Sequence, residues 1–286
     1  METNIGEFLS RRADLTGYRT AYVDSVSGER IDFAGLNQRC NRVANGLRDS
    51  GVAPGDRVAL LMVNSAEFIE AYFAIAKIGA VVVPLNWRLV ADELEFILKD
   101  SGSTTLIFSD TFIDLATELY SRGDKTDLRQ WLQVSATGAG ETNFCQDYEA
   151  LKTAASSDEP TLQGGDDDML YIMYTSGTTG LPKGVVHTHN TTLWALLTIA
   201  NTVDNHDGDV YLAALPMFHV GALTPVTLNV YRGNTSVVMR DFDPTRAWEL
   251  IAEEKVTTGL LVPAMLNFMI QVPNLERFDF SSIRWV

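Results

Sequence analysis

Short apolar runs alternate with helical patterns along almost the whole of this chain, and that rhythm restricts its fold more than any other feature. Leu36, Cys40, Val43, Ala44 and Leu47 recur at helical spacing, and Gly51 follows as a C-cap. Pro54-Gly55-Asp56 marks a turn, and residues 57–62 read as a buried strand. A helix is expected at 66–78, ended by Gly79, then a strand at 80–85, a helix at 91–101 stopped at Gly102, and a strand at 104–108. Residues 138–168 are richer in small and acidic side chains, and their later part reads as a solvated connector. The alternation then resumes. Strands are expected at 169–174, 210–215, 235–239 and 257–262, helices at 191–203, 221–231, 244–255 and 264–270, and a further strand begins at 283–286. Such alternation implies an α/β fold of mostly parallel sheets with helices on both faces.

At 286 residues the chain suits one large α/β domain or two subdomains. The composition shift divides it into a first α/β subdomain at 1–165 and a second at 166–286. The net charge of −15 makes it a poor generic binder of nucleic acid, because phosphates are repelled. Cys40 and Cys145 form no CxxC pattern, which argues against a disulfide framework or zinc site and fits a reducing cytoplasm. The first ten residues lack the basic and apolar regions of a signal peptide. No apolar run is long enough to span a bilayer, and the negative charge also disfavours anionic lipid, so any membrane contact is expected to be peripheral.

The most informative stretch runs from Tyr174 to Gly184 after an expected strand. It holds Thr175, Ser176, Gly177, Thr178, Thr179, Gly180 and Lys183. Glycines let backbone N–H groups turn toward a phosphate, hydroxyls donate hydrogen bonds or coordinate a hard cation, and a lysine supplies positive charge. The spacing excludes two better-known loops. Lys183 is flanked by Pro182 and Gly184, unlike a Walker A lysine, and Gly177 and Gly180 do not form G-x-G-x-x-G. Tyr174 is expected to end a central parallel strand, with the loop exposed beyond it.

Residues 175–184 resemble the signature loop of the adenylate-forming enzymes, the superfamily of acyl-CoA synthetases, adenylation domains and firefly luciferase. Gly79 to Leu89 with Glu93-Leu94, Leu215-Pro216-Met217-Phe218-His219-Val220 and Val262-Pro263-Ala264-Met265 resemble further motifs of that superfamily. Residues 166–189, with Pro216 and Asn267-Phe268-Met269, are most similar to mycobacterial long- and very-long-chain fatty acyl-CoA synthetases. The resemblance implies a two-step ligase. A carboxylate attacks the α-phosphate of ATP to give an acyl-adenylate and pyrophosphate, and the thiol of CoA, a co-substrate, then attacks the adenylate. It implies that the loop holds the leaving β- and γ-phosphates, with Thr175 a candidate contact to Mg²⁺. It also implies that the main catalytic groups and a small C-terminal lid domain lie beyond Val286, so this chain is expected to be an N-terminal portion, inactive alone. A non-catalytic nucleotide- or acyl-binding protein and an aryl-CoA ligase are the alternatives.

On the acyl side, the resemblance makes His219, with Phe218, Val220 and Gly221, candidates to line or gate the acyl pocket. No Asp or Glu lies between Pro216 and Asn229 to pair a substrate ammonium, which favours a fatty or other apolar acid. His187 and His189 would share one face of a strand, but no third metal ligand is visible. They are expected to help begin the helix after the loop, with Asn190 or Thr191 as N-cap. Asp166, Asp167 and Asp168 read as a solvated charged loop rather than a cation site. Trp87 and Arg88 are assigned to packing, and Met265, Phe268 and Met269 to the core.

Overall fold

A computed structural model describes residues 3–138, 140, 142–175 and 180–286. In chain order the elements are α1 (Glu7–Thr16), β1 (Thr20–Asp24), β2 (Arg30–Asp32), α2 (Phe33–Asp49), β3 (Arg57–Leu61), α3 (Ala66–Lys77), β4 (Val81–Pro84), α4 (Ala91–Ser101), β5 (Ser103–Ser109), α5 (Ile113–Ser121), β6 (Gln130–Val134), β7 (Gln146–Asp147) and α6 (Tyr148–Ala154). There follow β8 (Met169–Thr175), β9 (Lys183–Thr188), α7 (His189–Thr202), β10 (Val210–Ala213), α8 (Val220–Arg232), β11 (Thr235–Val238), α9 (Pro244–Glu254), β12 (Thr258–Gly259) and α10 (Pro263–Ile270). The chain is mixed α/β, as its rhythm implies. It divides into two compact units: residues 1–7, 37–63 and 67–193 form one, and 8–36, 64–66 and 194–286 the other.

The first unit is built on a seven-stranded sheet in the order β7-β6-β5-β3-β4-β8-β9. Its pairings are parallel except β8–β9, which is antiparallel. Strands covered on both faces must be apolar throughout, and Val58 to Leu61 and Val81 to Val83 are all buried. Helix α4 shows how local sequence sets an element. Leu94, Ile97 and Leu98 share one face and pack with Val83, Leu61 and Phe108. Each such side chain contributes about 1.5–3 kcal/mol on full burial. Gly102 ends the helix at φ 62°, where its N–H reaches the carbonyls of Leu98 and Lys99.

The division expected between residues 165 and 166 falls inside this unit, because β8 and β9 extend its sheet. The connector also differs from expectation. β7 and α6 lie within it, and its later part, though mostly exposed as expected, is also pinned. The buried Lys77 ammonium reaches Asn37 Oδ1 and Asn41 Oδ1 at 2.6 Å and Glu159 Oε1 at 2.7 Å. A charge out of water needs such partners, and here one of them recruits the connector. Strand β9 was not expected at all. Its sequence Lys-Gly-Val-Val-His-Thr has no period of two, and it forms a sheet edge on which Val185 and Val186 are exposed.

The second unit has a five-stranded sheet, β12-β10-β11-β1-β2, parallel except for β1–β2. Its core joins Leu212, Val237 and Met239 to Leu250 and Ile251 of α9. β12 keeps only two residues of the strand expected at 257–262, because Pro263 opens α10 directly. Trp285 bridges Thr258 in parallel, an isolated bridge in place of the strand expected at 283–286. Of the three α10 residues assigned to the core, Met269 is buried and Met265 packs against it, but Phe268 is 57% exposed. Only one face of this short helix is covered. No described helix is long and apolar enough to cross a membrane.

Candidate functional site

The hydroxyl- and glycine-rich loop proves to be the tip of the β8–β9 hairpin. Thr175 pairs with Lys183 and Tyr174 with Gly184 across the ladder. The structure therefore brings together the two ends of the loop, Thr175 and Lys183, both exposed with Gly180. Ser176, Gly177, Thr178 and Thr179 lie outside the described residues. β8 is the penultimate strand rather than a central one, and it runs on to Thr175. The loop turns back into an antiparallel strand instead of opening a helix, because Pro182, Lys183 and Gly184 lead into an extended edge.

Tyr174 braces the hairpin just below its tip. Its hydroxyl donates to Asp100 Oδ2 at 2.6 Å, and burial with that carboxylate pushes the phenol pKa up. The ring rests on Gly184, where a Cβ would lie 3.1 Å from Tyr174 Cζ and 2.8 Å from Ile172 Cγ2. Glycine is thus required there by close approach. The two histidines part company. His187 lies on β9, stacked on Tyr171 at 4.5 Å, and burial lowers its pKa. His189 opens α7 fully buried, and burial pushes its pKa down to about 4. The helix cap is neither Asn190 nor Thr191 alone. Thr188 and Thr191 cap each other, each backbone N–H donating to the other's hydroxyl at 2.9–3.0 Å. Asp166 and Asp168 accept backbone N–H groups of Thr3 and Gly165. Among the described residues, no group of three His, Cys, Asp or Glu is placed to hold a metal ion.

In the second unit, Phe218, His219, Val220 and Gly221 meet at the start of α8. His219 is its extended N-cap residue at φ −107°, ψ 143°, and its ring lies 4.4 Å from that of the buried Phe218. Val220 is 47% exposed. Gly221 leaves room, since a Cβ there would come 3.7 Å from Leu260 and 3.9 Å from Leu215. Gly221, Pro225, Leu228 and Asn229 follow on one helical face. Pro225 has no N–H, so the Gly221 carbonyl lacks its usual helical partner. Below this strip is a cavity of about 200 Å³, walled by Pro225, Leu228, Tyr211, Leu260, Ile199 and Trp285, with no charged side chain in its lining.

Sequence reasoning missed both the cavity wall and the residue that fixes its approach. Buried Asn64 donates from Nδ2 to the carbonyls of Leu215 at 2.9 Å and Met239 at 3.0 Å, and its Oδ1 accepts from Met217 N–H at 2.8 Å. It thereby sets the segment that leads into Phe218 and His219. An Asn just before a helix reads as a cap, and nothing local points to partners some 150 residues away.

The comparisons agree with this geometry. Residues 9–286 match the AMP-binding enzyme family. The long-chain-fatty-acid–CoA ligase FadD13 of Mycobacterium tuberculosis is 43% identical over 283 residues, covering 99% of this chain and 54% of the relative. A feruloyl-CoA synthase from Amycolatopsis is 34% identical, covering 98% of this chain and 53% of the relative. The inhibitor-bound N-terminal domain of FACL13 from M. tuberculosis superposes with a TM-score of 0.92 at 41% identity, covering all of this chain and 69% of that one. The chain thus spans about half the length of the curated relatives it matches. It belongs to the AMP-binding enzyme family.

Proposed function

We propose that this chain carries the pyrophosphate-holding and acyl-holding parts of an ATP-dependent fatty acid–CoA ligase acting in the cytoplasm. Thr175, Ser176, Gly177, Thr178, Thr179, Gly180 and Lys183 hold the β- and γ-phosphates of ATP. Mg²⁺ would accompany the triphosphate as its counter-ion, with the exposed Thr175 hydroxyl at the end of the loop as a candidate protein oxygen. CoA is the acceptor of the second step.

The carrying observation is the uncharged cavity below α8. Its lining follows α8 from Pro225 to Asn229, about 6 Å, and Gly221 leaves room one turn earlier, so an alkyl chain could extend along this face. Phe218, His219, Val220 and Gly221, at the start of α8, are assigned to the end near the reacting carboxylate. The relatives named act on both kinds of acid, and the uncharged lining favours a fatty acid. Leu228→Trp fills the cavity and is expected to abolish binding of long-chain fatty acids while leaving Mg·ATP binding intact. Long-chain binding unchanged in that variant sinks the acyl assignment. Because holding phosphates equally in substrate and transition state lowers no barrier, the 286-residue chain is expected to bind Mg·ATP without releasing pyrophosphate.

A further inference from the structure

The phosphate hairpin lies at the margin of the sheet that carries it. β8 meets β4 through a single register pair, Val82 with Tyr171, and β9 is the sheet edge. From the base of the ladder at Met169–Thr188 to Thr175–Lys183 the arm is about 20 Å long. A tilt of about 3° at the base moves the tip by about 1 Å, a displacement that can cost roughly a hundredfold in a reaction that depends on positioning.

That base is held by four residues from the other end of the sequence. Thr3 and Asp166 exchange two bonds, Thr3 N–H to Asp166 Oδ1 at 2.8 Å and Asp166 N–H to the Thr3 carbonyl at 2.9 Å. The buried Asn4 amide donates to the carbonyls of Gln163, Gly164 and Ala76 at 2.8–3.1 Å, and its Oδ1 accepts from Gly6 N–H at 2.7 Å. These ties grip the segment entering β8. Ile5 N–H donates to His189 Nδ1 at 3.0 Å and grips the segment leaving β9. The two grips are cross-linked, since His189 N–H reaches the Asp168 carbonyl at 3.2 Å and Asn190 N–H the Asp166 carbonyl at 2.7 Å. Gly6 lets the segment pass, because a Cβ there would sit 2.7 Å from the Lys77 backbone nitrogen.

His189 is the least expected member. Nδ1 accepts a bond, so Nε2 carries the proton, yet that buried N–H has no partner. An orphaned buried donor costs about 1–3 kcal/mol, which an apolar residue of similar size would avoid. What histidine supplies here and an apolar residue cannot is the acceptor at Nδ1.

We propose that Thr3–Gly6 and His189 form a positioning clasp for the β8–β9 hairpin, so that the N-terminal segment sets the affinity for the triphosphate from the far end of the hairpin. The proposal rests on the phosphate reading given above. His189→Leu removes the acceptor. His189→Asn offers Oδ1 near the place of Nδ1, with an Nδ2 amide as the polar group on its other side. Equilibrium binding of Mg·ATP to the 286-residue chain, with thermal melting alongside, separates the readings. The clasp predicts roughly tenfold weaker binding in His189→Leu and recovery to within about threefold of wild type in His189→Asn. Asp166→Gly, at an exposed site whose φ of 44° glycine tolerates, removes the side-chain half of the Thr3 tie, leaves the backbone bond in place and should weaken binding about threefold. Lower melting temperatures with unchanged ATP affinity in His189→Leu and Asp166→Gly overturn the clasp. If His189→Leu does not fold, Asp166→Gly decides alone. Lys183→Ala is the control for the underlying reading. If it leaves ATP affinity unchanged, or if the wild-type chain binds no ATP, the phosphate assignment fails and the clasp falls with it. Weakening by Lys183→Ala without weakening by the clasp variants removes the clasp only.

Discussion

The hairpin of the first unit and the acyl strip of the second are made by opposite means. At the hairpin the supports are polar: Tyr174 on Asp100 just below the tip, and Ile5 on His189 and Thr3 on Asp166 at the base. Along α8 the defining features are missing atoms, with no side chain at Gly221, no N–H at Pro225 and an unfilled volume below Leu228. A phosphate needs donors and charge at fixed points, which suits the directional bonds of the hairpin to the role proposed for it. An alkyl chain needs only room from which water gains nothing, which suits the small residues and apolar walls along α8 to theirs.

Asn64 tests that contrast most severely, because it is a directional residue serving the apolar side. Asn64→Ala leaves two carbonyls and one N–H without their partner in a buried place, and about 3 kcal/mol of stability should be lost. Thermal or denaturant unfolding measures it. A loss below about 1 kcal/mol would mean that apolar packing alone holds the Leu215–Met217 segment. Acid comes next. Burial holds the His189 pKa near 4, below its unfolded value, so the fold keeps the imidazole neutral. The stability this contributes is complete above about pH 6.5 and disappears as pH falls from there toward 4, about 2 kcal/mol being lost by pH 5. Comparing the pH dependence of unfolding in wild type and His189→Leu isolates this effect, and parallel curves would show that His189 does not carry it. The smallest effect is expected at the tip. Lys183 is exposed, so Lys183→Ala should cost the weaker end of a charge-assisted contact, about 1.5 kcal/mol or roughly tenfold in ATP affinity, without changing the melting temperature. A changed melting temperature would make Lys183 part of the scaffold.

The two regions also differ in how far they could be read from sequence. Hydroxyls, glycines and a lysine within ten residues announce phosphate chemistry because all the groups such chemistry asks for lie in one continuous stretch. Helices α3 and α4 were legible for the same reason, since spacing, glycine stop and apolar face are all local. Strand β9 was not, because an edge strand need not alternate. α1, β1 and β2 passed unassigned, their roles depending on partners such as β11, more than 200 residues on. The cavity wall draws on α7, β10, α8 and the segment at Trp285. No window of sequence contains such a wall.

Strand β9 has one further consequence. A sheet edge with two exposed valines is a template on which a second strand can grow, and proteins commonly interrupt such edges with proline or charge. Here Pro182 and Lys183 stand immediately before Val185 and Val186. On the reading proposed above, the cation offered to a triphosphate also stands where a gatekeeper against chain-to-chain pairing would stand. Solubility and nucleotide recognition would then draw on one side chain, and selection on either would constrain the other.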